Sequence, residues 1–173
     1  VRRGIATLAL LSLGSVIPAL AVDPQAIAVI HPTKDNKVEG TVRFDWVSPH
    51  QVKVIVDVKG LKPNTEHGFH IHEFGDVSAN DGMSAGGHFD PAKKHRHAGP
   101  KTANHHAGDM GNLKSDASGN AHMELTLNDV ALFGQDGILG RAVVIHADKD
   151  DLKTQPAGNS GDRVGIGVIG LGK

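Results

Sequence analysis

The sequence contains no cysteine, no tyrosine and one tryptophan, and aromatic residues make up only 3% of its 173 positions. Without cysteine there is no disulfide, no thiolate ligand and no cysteine nucleophile, so any metal chemistry falls to imidazole and carboxylate. Charge of neither sign is in excess, with 18 Lys and Arg against 19 Asp and Glu. The basic footprint that nucleic acid requires is therefore missing. In their place stand 22 glycines, eight prolines and twelve histidines. A turn-rich chain with 39% hydrophobic residues fits one domain of short strands around a single core. Histidine is the compositional outlier.

The one long apolar run is at the start. Arg2 and Arg3 precede a mostly apolar stretch from Ile5 to Leu20, and Ala19-Leu20-Ala21 offers a small-x-small cleavage site. Gly14 and Pro18 interrupt a run already short of the roughly 20 apolar residues that span a bilayer. Residues 1–21 are thus expected to be a signal peptide, and 22–173 a protein that is periplasmic or otherwise exported, with no membrane association after cleavage. Taking Arg2 and Arg3 from the 18 basic residues leaves 16 against 19 acidic ones, a formal charge of −3.

Period-two patterns dominate the rest of the chain. Val42, Phe44 and Trp46 alternate with Thr41, Arg43 and Asp45, and Val52, Val54, Val56 and Val58 alternate with Lys53, Ile55, Asp57 and Lys59. Both predict strands buried on one face. Gly60 to Asn64 is a turn, and the next strand begins near Glu66. In that strand two-residue spacing puts His70 and His72 on one face and Phe69 and Ile71 on the other. From Gly75 to Asn112 no periodicity is sustained, and a stretch that long without structure of its own points to function. Asp116 to Asn120 reads as a hairpin-like turn before Met123, Leu125 and Leu127. Arg141 to His146 predicts a further strand, Asp148 to Asp162 a second polar loop, and Val164 to Val168 the last strand. The expected fold is all-β, an antiparallel barrel or sandwich of about eight strands.

Gly165-Ile166-Gly167-Val168-Ile169-Gly170 matches a dinucleotide-binding glycine pattern, but that pattern needs a helix after it and none is indicated. His31, His50 and His122 read as surface or hydrogen-bonded residues. His70-x-His72, His88, His97, His106-x-x-Asp109 and His146 form a different set, each beside glycine or at a strand end. Six imidazoles and a carboxylate exceed one four-coordinate site, which points to two neighbouring ions sharing a ligand.

Four stretches carry a family resemblance: Gly68-Phe69-His70-Ile71-His72-Glu73-Phe74-Gly75-Asp76, Gly86-Gly87-His88-Phe89-Asp90-Pro91, His106-Ala107-Gly108-Asp109-Met110-Gly111-Asn112 and Gly158-Asn159-Ser160-Gly161-Asp162-Arg163. Together, and in this order, they resemble the signatures of copper/zinc superoxide dismutases over about Ile27 to Gly170. The resemblance implies a Greek-key β-barrel with two long functional loops. Copper would be held by His70, His72, His88 and His146, and zinc by His88, His97, His106 and Asp109. His97 is preferred to His95 because Ala98-Gly99-Pro100 follows it, and His106 to His105 because Ala107-Gly108-Asp109 follows it. Asp150 resembles the carboxylate that hydrogen-bonds one histidine of each metal. Arg163 matches the arginine that guides the anion, with Lys93, Lys94, Lys101, Lys149 and Lys153 as further candidates for a positive funnel. By the same resemblance the substrate is superoxide, His88 takes up a proton as copper is reduced, and a homodimer is compatible.

The family's usual disulfide is missing. Val77 stands where a bacterial loop cysteine is expected and Ile166 where the last-strand cysteine is expected, and losing such a bridge typically costs about 2–5 kcal/mol. Apolar packing and metal binding are expected to compensate. The loop from Asp150 to Arg163 is shorter than in eukaryotic members, which favours a bacterial exported type. The alternative on the same fold is an exported copper/zinc chaperone or metal buffer.

Overall fold

The computed structural model describes residues 25–93 and 96–173. The leader expected at 1–21 lies outside the described residues, as do Lys94 and His95. Among the described residues eight strands are present: β1 Gln25–Pro32, β2 Glu39–Ser48, β3 Gln51–Lys59, β4 Glu66–His72, β5 Asp109–Lys114, β6 Ala121–Leu127, β7 Ala142–His146 and β8 Arg163–Leu171. One short 3-10 turn, Met83–Ala85, accompanies them.

The alternation in sequence becomes the barrel wall. Val42 and Phe44 of β2 lie opposite Val56 and Val54 of β3, which lie opposite Met123 and Leu125 of β6. Val52, Val54, Val56 and Val58 point inward and are buried. A slip by one residue would turn all of them outward. At roughly 1.5–3 kcal/mol for each buried valine, that loss rivals the whole stability of a domain, about 5–15 kcal/mol. The register is therefore fixed by burial.

The order around the barrel is β5-β4-β7-β8-β1-β2-β3-β6, antiparallel throughout. β5 and β6 approach each other without a ladder between them, so closure is nearly complete. The turn at Asp116 to Asn120 forms, with Asp116 N–H donating to the Asn120 carbonyl at 2.8 Å. It does not make a hairpin, because β5 pairs with β4 while β6 pairs with β3. The connections from β3 to β4 and from β6 to β7 cross between the two halves, giving the Greek-key path.

One expectation fails. The stretch from Gly75 to Asn112 is not wholly irregular, since β5 begins at Asp109. A bulge opposite Phe69 puts Met110 and Leu113, three residues apart, both in the core and turns Asp109 beneath the loops, so no alternation marks it.

The ladders on the other half position the chemistry. In β4, Phe69 and Ile71 enter the core, and His70 and His72 face outward beneath the loops. In β7, Val143 and Ile145 enter the core while Ala142 and Val144 pack outside with Ala85 and Ile166. His70 pairs with Asp109, His72 bridges to His88, and His146 pairs with Arg163 past a register irregularity. Residues far apart in sequence thus become neighbours through backbone pairing. Ile166 packs with Ala85, Ala142 and Val144, as expected of a residue replacing a cysteine, whereas Val77 is half exposed and lines a surface cleft together with Ile166. The backbone facing Ile166 is that of Gly82, where an added Cβ would lie 3.5 Å from Ile166 Cδ1.

Candidate metal centre

Two groups of buried ligands converge outside the barrel: His70, His72, His88 and His146, and His88, His97, His106 and Asp109. Within each group the candidate ligand atoms lie within 4.8 Å of one another, and His88 belongs to both. These are the seven residues on which the resemblance places copper and zinc. His105 is turned away, its Nδ1 donating to the His106 carbonyl at 2.6 Å and its Nε2 lying 3.4 Å from Asp129. His95 lies outside the described residues. His31, His50 and His122 stand at the surface, as expected.

Four of the six rings, those of His70, His72, His97 and His146, are held through one nitrogen by Asp150 or by a backbone carbonyl, which turns the other nitrogen toward the ligand groups. Asp150 Oδ2 bonds His70 Nε2 at 2.8 Å, and its Oδ1 bonds His97 Nε2 at 2.8 Å. The Gly86 carbonyl holds His72 Nδ1 at 3.0 Å, and the Gly161 carbonyl holds His146 Nδ1 at 3.1 Å. The nitrogens left over include His70 Nδ1, His88 Nε2 and His106 Nδ1, all buried with no hydrogen-bond partner. An orphaned polar atom in the interior is costly. Three of them converging on two ligand groups are the mark of ion sites, and imidazole with carboxylate suits copper and zinc.

The protonation states of His70, His72, His88 and His146 agree with that use. Burial pushes His70 down to about 4 and His146 down to about 3, with neighbouring histidines adding to the effect on each. Burial also lowers His72, well below its ordinary value, and lowers His88. These rings are neutral at pH 7, the form a cation requires. His97 moves the other way. Burial opposes its protonation, but hydrogen bonds to Asp109 and Asp150 outweigh burial and raise it to about 9. Asp109 would be raised by burial, yet the adjoining rings of His106, His88 and His97 hold it far below the carboxylate range.

Arg163 is pinned at the mouth. Its Nη1 donates to the Gly82 carbonyl and its Nη2 to the Gly86 carbonyl, each at 2.6 Å. A cleft of about 500 Å³ reaches both Arg163 and His146. Lys34 lines this cleft, as do Asp81 and Asp162. Lys149 is drawn aside by Glu66 at 2.5 Å, and Lys93 lines a separate recess beside His88 and His106. Lys34 is missed by sequence reasoning because it precedes the site by more than thirty positions and reaches it only through the close packing of β1 on β8. Asn112 is also missed. Its amide accepts from Asp150 N–H at 2.7 Å and donates to the Asp150 carbonyl at 2.9 Å, tying the second loop to β5.

Comparison with known proteins agrees with this geometry. The family described as copper/zinc superoxide dismutase (SODC) matches residues 38–169. A superoxide dismutase [Cu-Zn] of Yarrowia lipolytica is 46% identical over 154 residues, covering 85% of this chain and 97% of the relative. That of Schizosaccharomyces pombe is 44% identical with the same coverage. Among solved structures, the clock protein EA4 matches with a TM-score of 0.76 and 37% identity, over 88% of this chain and 98% of that one. The chain belongs to the copper/zinc superoxide dismutase family.

Proposed function

We propose that the chain is an enzyme that converts two superoxide anions and two protons into dioxygen and hydrogen peroxide. The observation that carries this reading is the pair of four-ligand groups sharing His88 beside a pinned Arg163. Bound copper supplies the one-electron change that the reaction needs, and bound zinc supplies fixed charge without redox chemistry. His70, His72, His88 and His146 are the copper ligands in this reading, and His88, His97, His106 and Asp109 the zinc ligands.

The chain's own groups do the rest. Arg163 presents positive charge where the cleft meets His146, attracting an anion that the formal charge of −3 expected for residues 22–173 would otherwise repel. His88 Nε2, buried and unpartnered, is the atom that holds a proton in one half of the cycle and gives it up in the other. Asp150 keeps His70 and His97 in one tautomer through both halves. A chaperone or buffer has no use for Arg163 aimed at the copper side. Rapid mixing of the copper- and zinc-loaded chain with excess superoxide tests the point. Many turnovers per chain are expected, whereas consumption limited to one equivalent of the bound copper would favour the chaperone.

The finer reading includes export and a dimer. Export rests on the tripartite leader. Protein recovered from its host should begin at Val22, and an intact leader there would remove this element. A homodimer is favoured by apolar side chains exposed on the outer face of β1 and β8, namely Val29 and Val168, with Val77 beside them. Sedimentation should give twice the chain mass and Val168→Asp should halve it; a monomer at high concentration would count against the dimer. Among the described residues no helix is long and apolar enough to cross a membrane.

A further inference from the structure

His97 is the ligand with the least regular support. It is 1% exposed yet lies in no strand, so its backbone N–H and carbonyl have no ladder to join. Buried main-chain groups of this kind need partners. Both are met by one side chain, Gln155, from the second loop. Its Oε1 accepts from His97 N–H at 2.7 Å and its Nε2 donates to the His97 carbonyl at 2.8 Å. Nε2 also donates to the Lys153 carbonyl at 3.1 Å, which fixes the amide plane. A primary amide offers a donor and an acceptor side by side, as a neighbouring strand would.

We propose that Gln155 is a positioning residue for the zinc ligand His97, acting through the His97 backbone as Asp150 acts through its ring. This rests on the two-metal reading of the site. Three contacts then define the ligand: Gln155 sets the backbone, Asp150 holds Nε2, and Nδ1 faces Asp109 Oδ1 at 3.1 Å. The copper-side ligands His70, His72 and His146 stand on β4 and β7, and the hydrogen bonds of Gln155 go to His97 and Lys153 and to none of these three, so the effect falls on one ion.

The test compares the unsubstituted chain with Gln155→Met, which keeps volume and loses both bonds, and Gln155→Glu, which keeps the acceptor and loses the donor. Zinc and copper affinities are measured by chelator competition, and the visible spectrum of cobalt bound in place of zinc reports ligand geometry. Zinc affinity should fall about 10–100-fold in Gln155→Met and less in Gln155→Glu, with copper affinity changed by less than about twofold and the cobalt bands shifted. Should Gln155→Met fail to fold, Gln155→Glu carries the same comparison. Zinc affinity unchanged in the variants, or copper and zinc weakened alike, would overturn the role of Gln155. Failure of the unsubstituted chain to bind zinc would instead overturn the metal reading, and the proposal with it.

Discussion

Replacing Asp150 with Asn separates the two metal sites by how firmly each ligand is otherwise held. Asp150 is fully buried, and its two oxygens each bond an imidazole at 2.8 Å, while Oδ1 also accepts Leu152 N–H at 2.6 Å. An amide has one acceptor and one donor group in place of two acceptors, so one imidazole must lose its bond or change tautomer. A change of tautomer would put a proton on the nitrogen that faces the ion. Bonds to a charged acceptor are worth about 1.5–3 kcal/mol against about 0.5–1.5 kcal/mol for neutral ones. His70 remains seated by its ladder partners Asp109 and Val144, whereas the backbone of His97 joins no ladder. Asp150→Asn should therefore weaken zinc about 10–100-fold, or about 1.4–2.8 kcal/mol, and copper less. Competition titrations with each metal in turn would measure this. A greater loss of copper than of zinc would refute the reasoning that strand pairing, and not Asp150, seats His70.

Charge reversal at Arg163 should slow turnover about tenfold or more at low ionic strength and less at high salt, because the steering field is screened within about 8–10 Å. Arg163→Lys, which keeps the charge but not the two-pronged contact with Gly82 and Gly86, should lose less; equal rates in Arg163→Glu and the unsubstituted chain would remove Arg163 from the mechanism. The metal-free chain should become less stable as pH falls from about 6.5 to 4. Unfolded histidines take up protons near 6.5, while folded His70 and His146 resist until about 4 and about 3. The unfolded state therefore binds more protons in this window, at about 1.4 kcal/mol per pH unit for each such group. His97, raised to about 9, works in the opposite direction: its stabilisation is complete below about 6.5 and is lost as pH rises from about 6.5 to 9, so between pH 7 and pH 5 it offsets a small part of the loss from the lowered rings. Chemical denaturation at pH 7 and pH 5 would detect the change, and equal stabilities would contradict the buried neutral state of these rings.

Much of this site is legible in the sequence because its ligands sit on regular elements. The alternation of His70 and His72 against Phe69 and Ile71 states which face enters the core and which meets an ion. Turn residues beside His88, His97 and His106 mark positions where backbone bends around a centre. What stays hidden is carried by contacts between loops. β5 shows no alternation because a bulge opposite Phe69 shifts its faces between Met110 and Leu113, both of which enter the core. The turn at Asp116 to Asn120 has hairpin chemistry, and only the pairing of β4 with β5 and β3 with β6 shows that the strands diverge. Asn112 and Gln155 look like ordinary loop amides until each is seen to grip the backbone of one distant residue.

The central claim is that His88 is shared by two ions. The most direct measurement is the electron paramagnetic resonance of copper in the chain, recorded before and after cobalt enters the zinc group. A common imidazole couples the two spins, so the copper signal should broaden or vanish when cobalt binds, and should persist in His88→Ala carrying both ions. An unaltered copper signal in the unsubstituted chain with both ions bound would contradict the shared ligand and the two-metal account built on it.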